Sequence, residues 1–501
     1  MDKKRIVQAA GVVGIATVIV RLAGLFREMV SAYFFGTTLV YDAFLLAFMI
    51  PNFFRGILAE GGLNSAFIPV FADYLAPEKK EEAQKVINDT MGISLFLTLS
   101  LSVLFLFVSS IAIFFPLSQK AILTLSFLRF TIFYLVFVSL SALVMGILNS
   151  VGHFASPALA PLGLDLFWIA SLVFITPLIG TGPVGRTYGL IIGLLIGGIF
   201  QFLIPLPALR RRGFSLKPGF NFKNPALIKM GKLLLPVTIG VAVAPINILV
   251  DFFLASTIAP GMVSSLWYAT RLMQLPIGVF GVTMGTIALP SLSRLAVGKN
   301  WAEMKKTLAF SLKLTFLLVI PASFGLIFFR EPIIRILFQH GLFTSLSTRA
   351  TGTALLFYSL GLFAYSGGIV LTRAFYALKD TRTPVKIGVL SIGLNLVLDL
   401  ILMVPMKQGG IALATSLVGL CNFTLLFFFL RRKVGLLGGR HLLRSGVEFV
   451  ILSGLATLVA FIYFQALEPC SGSLWALLSA FASGSLCYFG ITYLRSEFTL
   501  S

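Results

Sequence analysis

The sequence predicts an all-α integral membrane protein of about fourteen transmembrane helices, and three observations carry that expectation. The chain has 501 residues, 58% of them hydrophobic and 11% charged, with mean hydropathy +0.99; soluble domains run about 45–50% apolar and about 25% charged. Its apolar residues fall in stretches of roughly 20 or more, the length that crosses a bilayer core. Its lysines and arginines gather between alternate stretches.

Cut at Gly, Pro and charge clusters, the stretches lie near 7–34, 42–74, 90–115, 121–149, 157–180, 186–208 and 229–257. They continue at 262–294, 306–329, 352–377, 384–405, 408–430, 445–466 and 473–494. The first follows a short basic Met1–Arg5 and is too long for a cleaved signal peptide, so it is expected to be a retained helix. With the N-terminus inside, the inner segments carry 26 Lys and Arg and the outer segments 6. That asymmetry predicts cytoplasmic termini. It also accounts for the formal charge of +21 without a nucleic-acid partner. Cys421, Cys470 and Cys487 have no ligand spacing and read as packing residues.

The chain echoes itself. Ala-Phe-Met-Ile-Pro ending at Pro51 resembles Arg-Leu-Met-Gln-Leu-Pro ending at Pro276, and each is followed by a second proline, Pro69 and Pro290. Ser-Pro at 156–157 is matched by Thr-Pro at 383–384. The nearly equal offsets predict two pseudo-symmetric six-helix lobes, 1–220 and 221–433, with two extra C-terminal helices in 434–501. Paired repeats are how many transporters build a site that opens alternately to each side.

Seven cations fall inside the expected helices: Arg21, Arg27, Arg55, Arg129, Arg271, Lys313 and Arg373. A charge at the bilayer centre costs on the order of 3 kcal/mol or more, so each needs a reason. Lys313 and Arg373 sit near helix ends and can snorkel, as can Arg129. Arg21 and Arg55 fall near mid-membrane, and Arg27 and Arg271 in the outer half, where the positive-inside bias works against them. One reading is internal ion pairing, because Glu28, Asp42 and Glu60 are on the same two helices. The other is a hydrated cationic cavity, since the planar guanidinium binds phosphate oxygens in bidentate fashion. Gly24, between Arg21 and Arg27, offers a place for a bend.

A second constellation is polar. Asn395 and Asp399 are four residues apart and share a helix face; Ile411 and Thr415 repeat that spacing on the next helix. Counted from the outer ends, these four and Asp251 lie at depths agreeing to within roughly 10 Å at about 1.5 Å per residue. Two carboxylates, an amide, a hydroxyl and the Ile411 carbonyl would make an oxygen cage for a hard cation such as Na⁺. Gly409-Gly410 would permit loosened backbone there. A hydrogen-bonded helix contact, or a carboxylate protonated by burial, is the alternative. No catalytic grouping, P-loop or metalloprotease motif is present, so an enzyme is not expected.

The run Arg21-Leu-Ala-Gly-Leu-Phe-Arg27-Glu28, then Asp42-Ala-Phe, Pro51-Asn-Phe-Phe-Arg55, Ala59-Glu60-Gly61 and Ala66-Phe-Ile-Pro-Val-Phe71, resembles the MurJ/MviN family. Tyr268-Ala-Thr-Arg271-Leu-Met and Lys379-Asp-Thr-Arg-Thr-Pro384 fit as well. The resemblance implies a lipid II flippase of the multidrug/oligosaccharidyl-lipid/polysaccharide exporter superfamily, in the bacterial inner membrane. Its substrate would be the undecaprenyl-pyrophosphate-linked peptidoglycan precursor, with membrane lipids and cell-wall synthesis enzymes as further partners. It implies that Arg21, Arg27, Arg55 and Arg271 engage the substrate head, with Glu28, Asp42 and Glu60 nearby. Asp251, Asn395, Asp399, Ile411 and Thr415 are similar to a Na⁺ site described in some members, and the last two helices would form a groove for the lipid tail. Glu28 and Thr270 stand where some members carry Asp, and Gln274 where some carry Glu. The other functions weighed are a flippase for a different undecaprenyl-pyrophosphate glycan, a cation-coupled multidrug exporter, which would want an acidic cavity, and a non-transporting scaffold.

Overall fold

The computed structural model describes residues 3–57, 64–180 and 182–494, and among them every regular element is helical. Eleven helices are long and apolar enough to cross a membrane, and two bent pairs bring the number to 13. Those spans are counted among the described residues, and the first helix, Lys3–Phe35, is 33 residues long. The chain divides into two compact units, Met1–Leu249 and Val250–Ser501.

The first unit runs through α1 (Lys3–Phe35), α2 (Leu39–Phe54), α3 (Asn64–Ala72), α4 (Lys80–Ala112), α5 (Gln119–Thr131) and α6 (Tyr134–Ser150). It continues with α7 (Ala155–Leu159), α8 (Leu162–Ala170), α9 (Thr176–Ile179), α10 (Pro183–Leu203), α11 (Leu206–Arg211) and most of α12 (Pro225–Ile258). Thr38 caps α2 by accepting from the Tyr41 N–H at 3.3 Å, and Asp42 in its first turn complements the helix dipole. An aromatic column forms the core: Phe35 stacks on Tyr41, Tyr41 on Phe44 and Phe44 on Phe48. The Trp168 indole meets Phe44 and Phe48 edge-on.

The position of α8 is set by glycine. A Cβ on Gly193 of α10 would lie 2.0 Å from Ser171 Oγ, and one on Gly197 would lie 2.9 Å from Leu164 Cα. Only a small-residue stripe lets two membrane helices approach so closely. This contact fixes the depth and rotation of Asp165 and Trp168.

The sequence placed the boundary between halves at 220/221, in the loop before α12, whereas the units divide inside that helix. The physical reason is that the start of α12 packs with the first unit. Lys229 Nζ donates to Asp73 Oδ2 at 2.8 Å, and Thr90 Oγ1 lies 3.9 Å from Met230 Sδ. Before it, the loop is strapped to α4: Gly219 N–H donates to the Asn88 carbonyl at 2.9 Å, and Asn224 Nδ2 to Asp89 Oδ2 at 2.8 Å.

The second unit holds the end of α12, then α13 (Met262–Pro276), α14 (Thr283–Val297), α15 (Trp301–Phe328), α16 (Arg330–Phe338) and α17 (Ser345–Leu360). It ends with α18 (Leu362–Ala377), α19 (Arg382–Met406), α20 (Gln408–Val434), α21 (Gly439–Ser471) and α22 (Ser473–Leu494). The two C-terminal helices thus form part of this unit. The two prolines singled out in the sequence sit at similar places in their helices. Pro51 in α2 is followed by a π-helical turn at 55–57, and Pro276 in α13 by one at Ile277–Val282. In both places the proline removes an N–H donor and the helix widens.

Hairpin α19–α20 turns on one residue, Lys407, at φ 51° and ψ −133°. The backbone at Gly409-Gly410, expected to be loosened, is helical. Its glycines serve close approach instead: a Cβ on Gly410 would sit 2.0 Å from the Leu402 carbonyl oxygen. This brings Asn395 and Asp399 beside Ile411 and Thr415.

Candidate functional site

In the first unit the sequence-predicted cations separate into different environments. Arg27 is buried at 8% exposure. Its Nη2 donates to Glu28 Oε1 at 2.6 Å and its Nη1 to Asp165 Oδ1 at 2.8 Å. Its guanidinium lies 4.8 Å from the Trp168 ring centroid. The indole N–H donates to Ser31 Oγ at 2.9 Å, and that hydroxyl donates to the Arg27 carbonyl at 2.9 Å. Of the two readings left open by the sequence, Arg27 adopts internal pairing in this structure. Buried ions are tolerable only when paired and hydrogen-bonded; both Nη atoms of Arg27 are engaged, and its Nε is buried without a hydrogen-bond partner among the described residues.

Arg21 and Arg55 are half-buried. Arg55 follows α2 directly, its N–H directed at the Pro51 and Asn52 carbonyls. Helix α1 passes through Gly24 without a break; there a Cβ would meet only Asp165 Oδ2, at 3.9 Å. Asp42 is fully buried, with Lys120 Nζ at 3.5 Å from Oδ2. Glu60 lies outside the described residues. In the second unit, Arg271 is half-buried with its guanidinium 4.2 Å from the Trp267 ring centroid. Its Nη1 donates to Gln274 Oε1 at 3.4 Å.

The five polar positions predicted in the second unit come together. Asn395 Nδ2 donates to Asp251 Oδ1 at 2.6 Å and to Asp399 Oδ2 at 2.7 Å. Thr415 Oγ1 lies 3.1 Å from Asp251 Oδ2 and 3.0 Å from the Ile411 carbonyl, so one hydroxyl hydrogen serves both. Tyr365 of α18 donates to the Thr415 carbonyl at 2.9 Å. Asp251, Asn395, Asp399 and Ile411 are each at most 3% exposed. Two features set this cluster apart. Neither carboxylate forms an ion pair with Lys or Arg among the described residues. Asp399 Oδ1 is buried and accepts no hydrogen bond there. Carboxylate and hydroxyl oxygens are the hard donors that Na⁺ prefers, and an unpartnered oxygen is what such an ion would occupy.

The sequence reading did not anticipate Asp165, Trp168, Lys120 or Tyr365. Asp165 had a signal, being the one acid within the expected span 157–180. The other three lie far along the chain from their partners and carry none.

Two helical units with spans long and apolar enough to cross a membrane, holding buried ion pairs and a buried carboxylate cluster, fit a multi-span membrane transporter. The family described as "Lipid II flippase MurJ" matches residues 31–481, and the chain belongs to it. It is a family of transporters rather than catalysts. The chain is 32% identical over 468 residues to a "Probable lipid II flippase MurJ" of Vibrio cholerae, covering 90% of this chain and 87% of that one. It is 35% identical over 434 residues to the "Lipid II flippase MurJ" of Burkholderia cenocepacia, covering 84% and 82%. Among solved structures, "Lipid II flippase MurJ, inward closed conformation" matches with TM-score 0.80 at 29% identity, covering 96% of this chain and 98% of that one. Inward-facing and outward-facing MATE transporters of the MOP superfamily match with TM-scores 0.68 and 0.57. Their identities are 15% and 16%; they cover 84% and 86% of this chain and 98% and 96% of theirs, and share the fold.

Proposed function

We propose that this protein flips lipid II, the undecaprenyl-pyrophosphate-linked peptidoglycan precursor, from the inner to the outer leaflet of the bacterial cytoplasmic membrane. Family membership supports the substrate. The Lys and Arg asymmetry supports an orientation with both termini in the cytoplasm. The anionic head of the substrate would be engaged by Arg21, Arg55 and Arg271, whose guanidinium forks suit diphosphate oxygens. Arg27 holds α1 against α8 through Glu28 and Asp165 and keeps that wall in place. The paired inward- and outward-facing MATE neighbours support alternating access as the mode of transport.

Coupling to Na⁺ rests on one observation: among the described residues, Asp251 and Asp399 are buried together with no cationic side chain paired to them, and Asp399 Oδ1 accepts no hydrogen bond. A cation there would take oxygens from both carboxylates and from Thr415. Rotating the Asn395 amide by half a turn would add its Oδ1, since the amide orientation follows its hydrogen-bond partners. The Ile411 carbonyl has a second lone pair to contribute. Each transport cycle would then carry the cation down its gradient while the units rearrange around the substrate.

The test is a flipping assay with lipid II in proteoliposomes. Arg55→Ala should insert normally and lose transport; full transport by that variant sinks the head-group assignment. A parent protein that fails on lipid II but moves another undecaprenyl-pyrophosphate glycan would redirect the substrate assignment.

A further inference from the structure

At one end of the second unit, α20 finishes with Arg431-Arg432-Lys433-Val434 and α21 begins after only four residues. Gly435 and Gly438 have φ of +87° and +67°, which glycine adopts without strain. Behind this turn is a cavity of about 1090 Å³ between α15, α18, α20 and α21, at the upper end of the range for small-molecule sites. Its walls include Phe316, Ile320, Phe363, Phe423, Phe427 and Val450, and its mouth is lined by Arg431, Arg440 and His441. No residue of α22 lines it among the described residues, so it is distinct from a groove between the last two helices.

The charge at the mouth is uncompensated. Neighbouring cations are engaged: Arg432 lies 4.4 Å from the Phe428 ring centroid, Lys433 bonds to Asp380 and Arg444 Nε donates to Glu448 at 3.2 Å. Arg431 and Arg440 make no side-chain hydrogen bond or ion pair among the described residues. Gly438 and Gly439 also line the mouth, where α21 starts with no side-chain cap and no acid in its first turn. The free N–H groups and the positive dipole end of a 33-residue helix therefore face the same place.

A small anion would satisfy the mouth and leave the aromatic walls wet, and a neutral apolar molecule would do the reverse. The geometry points to an anionic glycerophospholipid of the surrounding bilayer, its phosphate between Arg431 and Arg440 and its acyl chains against the phenylalanine wall. A polyprenyl diphosphate shares that chemistry, but phospholipid is the bulk solvent of the membrane and mass action favours it. The positive-inside rule puts this mouth at the inner leaflet, where anionic lipids attract basic residues. The bound lipid then cements α21 to α15 and α20. The proposal stands apart from the transport reading, because it concerns lipid occupancy of one unit and not flipping.

The test places an indole in the cavity with Phe427→Trp and measures quenching by brominated lipids in nanodiscs, with the parent protein subtracted for its native tryptophans. Brominated phosphatidylglycerol should quench saturably, at a mole fraction about ten-fold or more lower than brominated phosphatidylcholine. Arg431→Gln with Arg440→Gln should bring the two lipids to equality. Equal quenching in the unaltered mouth overturns the proposal, as does a preference that survives the double substitution. Displacement of the brominated lipid by equimolar undecaprenyl diphosphate, but not by unbrominated phosphatidylglycerol, assigns the cavity to the prenyl chain and also overturns it. Should Phe427→Trp fail to fold, Phe363→Trp on the facing wall reads the same occupancy.

Discussion

Each unit buries a knot of charged and polar side chains, and the two differ in where the positive charge comes from. In the first unit the cation is covalent: Arg27 serves Glu28 and Asp165 at once and rests on Trp168. In the second, Asp251 and Asp399 share one amide, and no lysine or arginine pairs with them among the described residues. A knot with its own cation carries its counter-charge at all times and acts as a fastener. A knot without one needs a proton or a metal ion from outside, and its stability then depends on what the solution supplies. The first kind holds helices in a fixed relation; the second kind can report and use an ion gradient.

Breaking the built-in pair should have the largest effect. Arg27→Ala removes the cation that two buried carboxylates share, and removing one partner of such a pair costs about 3–5 kcal/mol. Thermal unfolding in detergent should show a fall to match, with Arg27→Lys recovering part of it through a single bridge. If Arg27→Ala melts like the parent protein, the knot is not a fastener and the comparison collapses.

The second expected effect is conditional rather than absolute. In Na⁺-free choline buffer, Asp399→Asn should be as stable as the parent or more so, because it removes a buried charge that lacks a counter-ion. Added Na⁺ should raise the melting temperature of the parent alone, by the equivalent of about 2.7 kcal/mol at one hundred times the dissociation constant. A Na⁺ response that persists in Asp399→Asn moves the cation elsewhere.

A smaller effect tests the supports around the first knot. Trp168→Phe keeps an aromatic face under Arg27 but leaves Ser31 without its indole donor. One neutral hydrogen bond and part of a cation–π contact amount to about 1–2 kcal/mol. Unfolding midpoints that do not move would mean that the carboxylates alone position the guanidinium.

The same contrast explains which parts of the molecule could be read in advance. Spans were legible because a bilayer demands roughly 20 apolar residues per crossing, and Lys80–Ala112 or Gly439–Pro469 announce themselves by composition alone. The carboxylate cluster was legible because Asn395 and Asp399 repeat at one helical turn and share a depth with Thr415 and Asp251. Arg27 was half-legible: its burial followed from its position, but its partner Asp165 stands 138 residues away. That pairing depends on the glycines of α10 admitting α8, a three-dimensional fact with no local signature. The Gly409-Gly410 pair misled for the same reason, because a glycine serves backbone strain and close packing equally well.

A third ion pair, outside the membrane segments, measures what water does to such contacts. Asp380, between α18 and α19, accepts from the Thr383 N–H at 3.0 Å and from its hydroxyl at 2.6 Å, and Lys433 bonds to the same carboxyl. Partial burial works to raise its pKa, but the hydrogen bonds from Lys433 and Thr383 outweigh that and hold the carboxyl at about 2. The folded value lies below the unfolded one of about 3.9. The contact therefore contributes in full above about pH 4, and its contribution is lost as pH falls through 2. Because Lys433 is 46% exposed, solvent screening limits the effect to about 1 kcal/mol. Asp380→Asn should lower the melting temperature slightly at pH 7 and have no effect near pH 2, in contrast to the larger loss from Arg27→Ala. Equal losses from the two substitutions would mean that burial does not separate these ion pairs, and the distinction between the fastener and the proposed cation site would lose its physical basis.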